Sequence, residues 1–160
     1  MAITKIMKVV WSLMKDKVLE TAKKIKEPCE ATVHEFREKW EKLSIEGSRE
    51  LSARTDYEKL IGKGNQKMAE DNNRNFPRFM ESLFSDYKPE IFLETVLWVF
   101  RAYRSHGFHT TYWPANLNLW INLLKKELSP KAFEEIEPFY TWIIINIPIF
   151  VKLTDQNLSE

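Results

Sequence analysis

Apolar residues recur along this chain at spacings of three, four and seven, the period of a helix with one buried stripe. Ile3, Met7, Val10, Met14, Val18 and Ile25 do so first, with lysines on the other faces, so the pattern predicts an amphipathic helix over residues 1–27. Pro28 is suited to open a second helix, with Val33, Phe36, Trp40 and Leu43 inward and Gly47 as its end. Thr55 followed by Glu58 reads as a capping box that opens a long segment running to Tyr87, with Gly62, Gly64 and Pro77 bending it. Pro89 starts a helix whose broad apolar face, from Ile91 to Tyr103, stops at Gly107. Pro114 starts the next, with Leu117, Trp120, Ile121 and Leu124 inward, and Ser129-Pro130 caps a last segment that Pro138 and Pro148 should kink or divide. No strand pair is visible. The expectation is an all-α fold of six to eight helices in one domain spanning residues 1–160.

The chain has 160 residues, 44% of them hydrophobic and 29% charged, and only four glycines, which fits a folded chain with a real core. Lys+Arg 24 against Asp+Glu 23 leaves a net charge of +1, so the basic excess usual for nucleic-acid binding is missing. Cys29 is the only cysteine and supports no internal disulfide. The lysines at 5, 8, 15 and 17 break up the apolar N-terminus, which does not read as a signal peptide. The apolar stretch Phe139 to Val151 is interrupted by Asn146 and Pro148 and is too short for a bilayer span. These features predict an intracellular, cytoplasmic protein without a transmembrane segment.

Candidate chemistry is sparse. His34, His106 and His109 have no metal-ligand spacing, and Gly62-Lys63-Gly64 matches no phosphate-binding loop. No acid/base pair with a definable role emerges, so an enzyme is not expected, and neither is a metal. Two features stand out. Aromatics make up 13% of the chain, and Trp98, Phe100, Tyr103, Phe108, Tyr112, Trp113 and Trp120 crowd two adjacent helices. The run Asp71-Asn72-Asn73-Arg74-Asn75 is polar around a full helical turn, then gives way to Phe76, Phe79, Met80 and Leu83. Laid against a core, such a run must face water or line a chamber in which its groups find partners.

The stretch from Tyr103-Arg104-Ser105-His106-Gly107-Phe108 through Tyr112-Trp113-Pro114 to Trp142 resembles the end of the globin fold. In bacterial globins the helix carrying the haem ligand ends in an aromatic-Gly-apolar step, followed by an aromatic-Pro helix start and two long helices. The resemblance covers about one third of the chain. Four residues before the glycine, where globins carry their proximal histidine, stands Tyr103. The chain thus looks like the non-haem globin sensor domains of stressosome regulators and sporulation sensor kinases, and among them like stand-alone, plasmid-encoded domains that inhibit sporulation.

What the resemblance implies is a homodimer without haem. It binds a fatty acid in an apolar tunnel and a halide such as chloride in a neighbouring polar chamber, and it titrates the signal or partner of a homologous sensor histidine kinase. About thirty residues before Tyr103, the distal position of such a fold falls in the polar run. That makes Arg74, helped by Asn72 or Asn75, the candidate anion site. The candidate tunnel residues are Phe76, Phe79, Trp98, Phe100, Tyr103, Phe108 and Trp120, with Arg78 and Arg101 as carboxylate partners. The seam Ile3, Met7, Val10 and Met14, together with Trp142, Ile143 and Phe150, supplies candidate dimer surfaces or completes the monomer's core.

Two other readings compete. A haem globin acting as gas sensor or oxygen binder would use Tyr103 or His106 as axial ligand. A membrane-surface anchor would use the N-terminal helix, where seven lysines stand against Asp16 and Glu20 between Met1 and Lys26.

Overall fold

The computed structural model describes residues 2–155. Among them are seven helices and no strand: α1 (Ala2–Ala22), α2 (Glu30–Ser52), α3 (Tyr57–Ile61), α4 (Gln66–Ser85), α5 (Pro89–Ser105), α6 (Tyr112–Glu127) and α7 (Pro130–Leu153). The all-α expectation holds. α2 packs along α4 and also meets α6 and α7, while α1 lies across α5 and α7.

An unbroken chain of touching aromatic rings runs through the core. It passes from Phe36 on α2 to Phe84 on α4 and Phe139 on α7, then by way of Phe92, Trp142, Phe150 and Phe100 to Trp113 on α6. Ring centroids along it lie 4.5 to 5.8 Å apart, mostly tilted or edge-to-face as ring quadrupoles prefer. Burying each such side chain stabilises the fold by about 1.5–3 kcal/mol.

The end of α5 shows how local chemistry places the later site. Gly107 has φ +98°, the Phe108 N–H donates to the Tyr103 carbonyl, and the Gly107 N–H donates to Arg104, both at 3.1 Å. This is a Schellman ending, completed by the Tyr103 and Phe108 rings at 4.8 Å. The stop expected at Gly107 is therefore real.

Several expected boundaries need correction. Gly47 does not end α2, which continues to Ser52. Its bare Cα lets α2 approach α6, since a Cβ there would lie 3.4 Å from Leu119 and 3.7 Å from Trp120. Thr55 caps nothing. The chain breaks at Gly62 instead, so the long segment becomes α3 and α4, and Asp56 precedes α3 without a side-chain cap. α6 starts at Tyr112, two residues before Pro114.

Pro77 lies inside a continuous α4, and Pro138 and Pro148 lie inside a continuous α7. Buried side chains on either side of each proline, Ile136, Phe139, Tyr140, Ile143 and Phe150 on α7, hold the helix across the missing hydrogen bonds. α7 is thereby long and apolar enough to cross a membrane by length and composition, contrary to the shorter stretch expected. Its apolar face forms the centre of the bundle. Trp142, Ile143 and Phe150, offered above as dimer surface, are buried in that core. Ser129 caps α7 as expected, its hydroxyl accepting from the Ala132 N–H.

Candidate functional site

α4 and α5 run antiparallel beneath a surface groove of about 430 Å³, within the range of small-ligand sites. Its two ends differ. Asn72, Tyr103 and His106, with Met68, lie toward one end, and Phe76, Phe79, Val99 and Trp98, with Thr95, toward the other. Phe76 and Val99 also wall an inner void of about 10 Å³, whose other lining residues include Phe100, Trp113, Leu117 and Ile143. These two side chains are the partition between the groove and the core. Two larger clefts, of about 750 and 710 Å³, are open and carry charged side chains on their walls.

The residues expected to form a tunnel separate into groups. Phe76, Phe79, Trp98 and Tyr103 line the groove together with Asn72 and Asn75, and Trp98 stands at the rim, 63% exposed. Phe100 lies deeper, stacked on Trp113 at 4.5 Å and facing the inner void. Phe108 and Trp120 reach neither space. Phe108 packs on Tyr103 and Tyr112 to close the α5 ending, and Trp120 is fully buried beneath α4.

The expected anion site divides, with Asn72 parting from Arg74 and Asn75. Arg74 is exposed and bonds Asp71, one turn back on its own helix, and this hydrogen bond holds the Asp71 carboxyl below the usual range. Asn72 points the other way, and its amide donates to the Tyr112 hydroxyl at 2.8 Å inside the protein. Arg74, Asn75 and Arg78 come together in the open α2/α4 cleft beside Trp40 and Ser44. Arg101 is exposed on α5 and lines none of these spaces.

The polar chemistry of the interior belongs to a residue between those singled out. Asn73 is fully buried, and its carbonyl oxygen accepts from the Asn116 amide at 2.9 Å and the Trp120 indole at 3.0 Å. Its amide reaches the Ser48 hydroxyl at 3.5 Å. The signal for this cluster was the placing of Asn116 and Trp120 four apart on the otherwise apolar face of α6. Among the described residues, the buried Trp113 indole and the Tyr140 hydroxyl have no hydrogen-bond partner.

Burial pushes the Tyr103 phenol up to about 12, with a smaller push from Asp71. Burial raises Tyr112 and Tyr140 further, against a lowering hydrogen bond from Asn72 in the case of Tyr112. All three phenols are therefore neutral across the ordinary pH range and keep their protons for donation.

Among the described residues no three His, Cys, Asp or Glu side chains converge on a point. His34 faces Glu38 at 3.2 Å, the His106 ring meets the Ala102 carbonyl at 2.8 Å, and the His109 ring meets the Thr111 hydroxyl at 2.7 Å. Each histidine thus has a local helical or turn partner. Compared with known proteins, the chain matches no family model, no curated protein and no solved structure.

Proposed function

We propose that this chain is a non-enzymatic binding module that takes a fatty acid in the groove between α4 and α5. The observation that carries the reading is the polarity of that groove. Neutral Tyr103 with Asn72 and His106 stands at one end, and Phe76, Phe79 and Val99 form an apolar floor at the other. A carboxylate accepts a hydrogen bond from the Tyr103 phenol, since the Asn72 amide is turned to Tyr112 and His106 Nδ1 to the Ala102 carbonyl, and the chain of methylenes lies on the aromatic floor, each buried methylene contributing about 0.8 kcal/mol.

The resemblance of Tyr103 to Trp142 to globin-type sensor domains supports the wider role. In that role the module forms a homodimer and inhibits sporulation by titrating the ligand or partner of a homologous sensor histidine kinase. The reading includes no anion held by Arg74. A haem held by Tyr103 is the alternative reading; against it, the Tyr103 ring is packed on Phe108 and Trp113.

Native mass spectrometry of the purified protein, beside a denatured sample, tests the reading. The expected result is a fatty-acid mass released on denaturation and absent from Phe79→Glu, which puts a charge on the apolar floor while helicity is retained. A haem mass, or lipid retained at wild-type stoichiometry by Phe79→Glu, overturns it.

A further inference from the structure

α1 is attached to the rest of the protein from Trp11 onward. Val18 and Ala22 are its buried residues. The Trp11 indole donates to the Leu153 carbonyl at 3.2 Å, and Lys15 pairs with Glu94 on α5. Residues 2–10 are exposed throughout, and they include Ile3 at 77% and Ile6 at 62%. Val9, Val10 and Leu13, each about half exposed, continue the same surface. At about 100° per residue these five side chains and Met7 fall on one arc of about 160°, with Lys5 and Lys8 on the opposite arc. A helical segment this short is marginal in water without a partner for its apolar face.

The pattern points to lipid rather than to a second copy of the helix. The seam Ile3, Met7, Val10 and Met14 continues to Val18, but Val18 is buried in the protein's own core, and in the neighbouring register Ile3, Ile6, Val10 and Leu13 run on into Lys17 and Glu20. A seam of two heptads falls short of the three to four that a coiled coil needs. Met7 and Val9 widen the apolar arc beyond a two-stranded seam. Four lysines against Asp16 over residues 2–17 give this one helix a cationic character that the net charge of +1 does not give the whole chain.

We propose that the first half of α1 lies in the plane of an anionic lipid surface, its Ile3-Ile6-Val10-Leu13 arc among the acyl chains and its lysines among the headgroups. The inference rests on α1 alone. It stands or falls separately from the groove between α4 and α5.

Flotation of the full chain with vesicles is the test, using phosphatidylcholine alone and phosphatidylcholine with one third replaced by phosphatidylglycerol. The expected result is binding to the anionic vesicles at least about tenfold stronger than to the neutral ones, weakening as salt is raised. Ile6→Asp with Val10→Asp abolishes flotation, and Lys5→Ser with Lys8→Ser leaves only the weak binding seen with neutral vesicles. All four side chains are exposed, so the thermal unfolding curves of both variants overlay the wild type. Flotation that ignores lipid charge, or survives Ile6→Asp with Val10→Asp, overturns the proposal. So does an absence of flotation, and sedimentation then adds a diagnosis: a dimer that Val10→Asp splits assigns the arc to a second copy.

Discussion

Glu35 on α2 accepts both the backbone N–H and the hydroxyl of Ser129, at 2.6 and 2.7 Å, and so holds the residue that caps α7. The favour is returned at the start of α2. Glu135 on α7 accepts from the backbone N–H of Cys29, the residue before α2, at 3.2 Å, and from the Thr32 hydroxyl. Each helix start thus receives a carboxylate from the other helix, where unpaired N–H groups and the helix dipole favour negative charge.

This double tie makes the fold acid-sensitive. Burial pushes the Glu35 carboxyl up, but the Ser129 and Lys39 bonds outweigh it and leave it below the usual range. The Thr32 hydroxyl and the Cys29 N–H hold Glu135 low. A carboxyl depressed in the folded state contributes its stability above the unfolded value of about 4.3, and that contribution is lost as pH falls through the folded value. The urea midpoint is expected to drop between about pH 5 and about pH 3. Glu35→Gln with Glu135→Gln flattens that drop; an unchanged slope in this variant would remove the ties from the acid response.

Two neighbouring glycines differ in how much an added side chain would cost. Gly62 and Gly64 have nearly the same positive φ, +82° and +81°. A Cβ on Gly62 would lie 2.8 Å from the Gly107 carbonyl oxygen, whereas one on Gly64 meets nothing within 4 Å. Gly64→Ala is expected to destabilise by about 1 kcal/mol, the strain of the left-handed region alone. Gly62→Ala adds a backbone collision at a φ, ψ of 82°, 155° that essentially only glycine adopts, and loses about 2 kcal/mol more. Equal losses in chemical denaturation would show that the turn after α3 can slide away from α5.

Tyr112→Phe leaves the buried Asn72 amide without its acceptor, and a loss of about 1–3 kcal/mol is expected. Adding Asn72→Leu to Tyr112→Phe recovers part of that loss, since both polar partners are then gone. A double variant that merely sums the two single losses would mean that the 2.8 Å bond carries no coupling.

The helices were legible because their stripes and stops are local: Pro89 to Gly107 could be bounded from the residues themselves. The failures came from tertiary effects. Gly47 is an end signal by its local chemistry, but the approach of α6 uses its missing side chain. Pro138 and Pro148 lie in a helix whose packing on both sides of each ring outweighs the local break. In the site, the grouping of Phe76, Phe79, Trp98 and Tyr103 rests on the globin resemblance, because spacing within one helix does not say which other helix it faces. Within the polar run, spacing alone could not decide which amide faces inward. The i,i+3 partner Asp71 drew Arg74 outward, and Asn73 took the buried place.

The partition between groove and core gives a chain-length prediction. Val99→Phe thickens it and is expected to shift the preferred acyl chain to shorter lengths, read by displacement of a fluorescent fatty acid. Phe76→Ala opens it, admits longer chains, and destabilises the protein by about 3 kcal/mol through the cavity it leaves. The same length preference in both variants would place the ligand elsewhere.

Because the aromatic rings from Phe36 to Trp113 touch in one unbroken series across α2, α4, α7, α5 and α6, no one of these helices can leave without stripping contacts from the next. The core amides are expected to be the slowest to exchange hydrogen with solvent, and those of residues 2–10, outside that series, the fastest. In this molecule the same chain carries one rigid cooperative block and one segment that is free to respond to its surroundings.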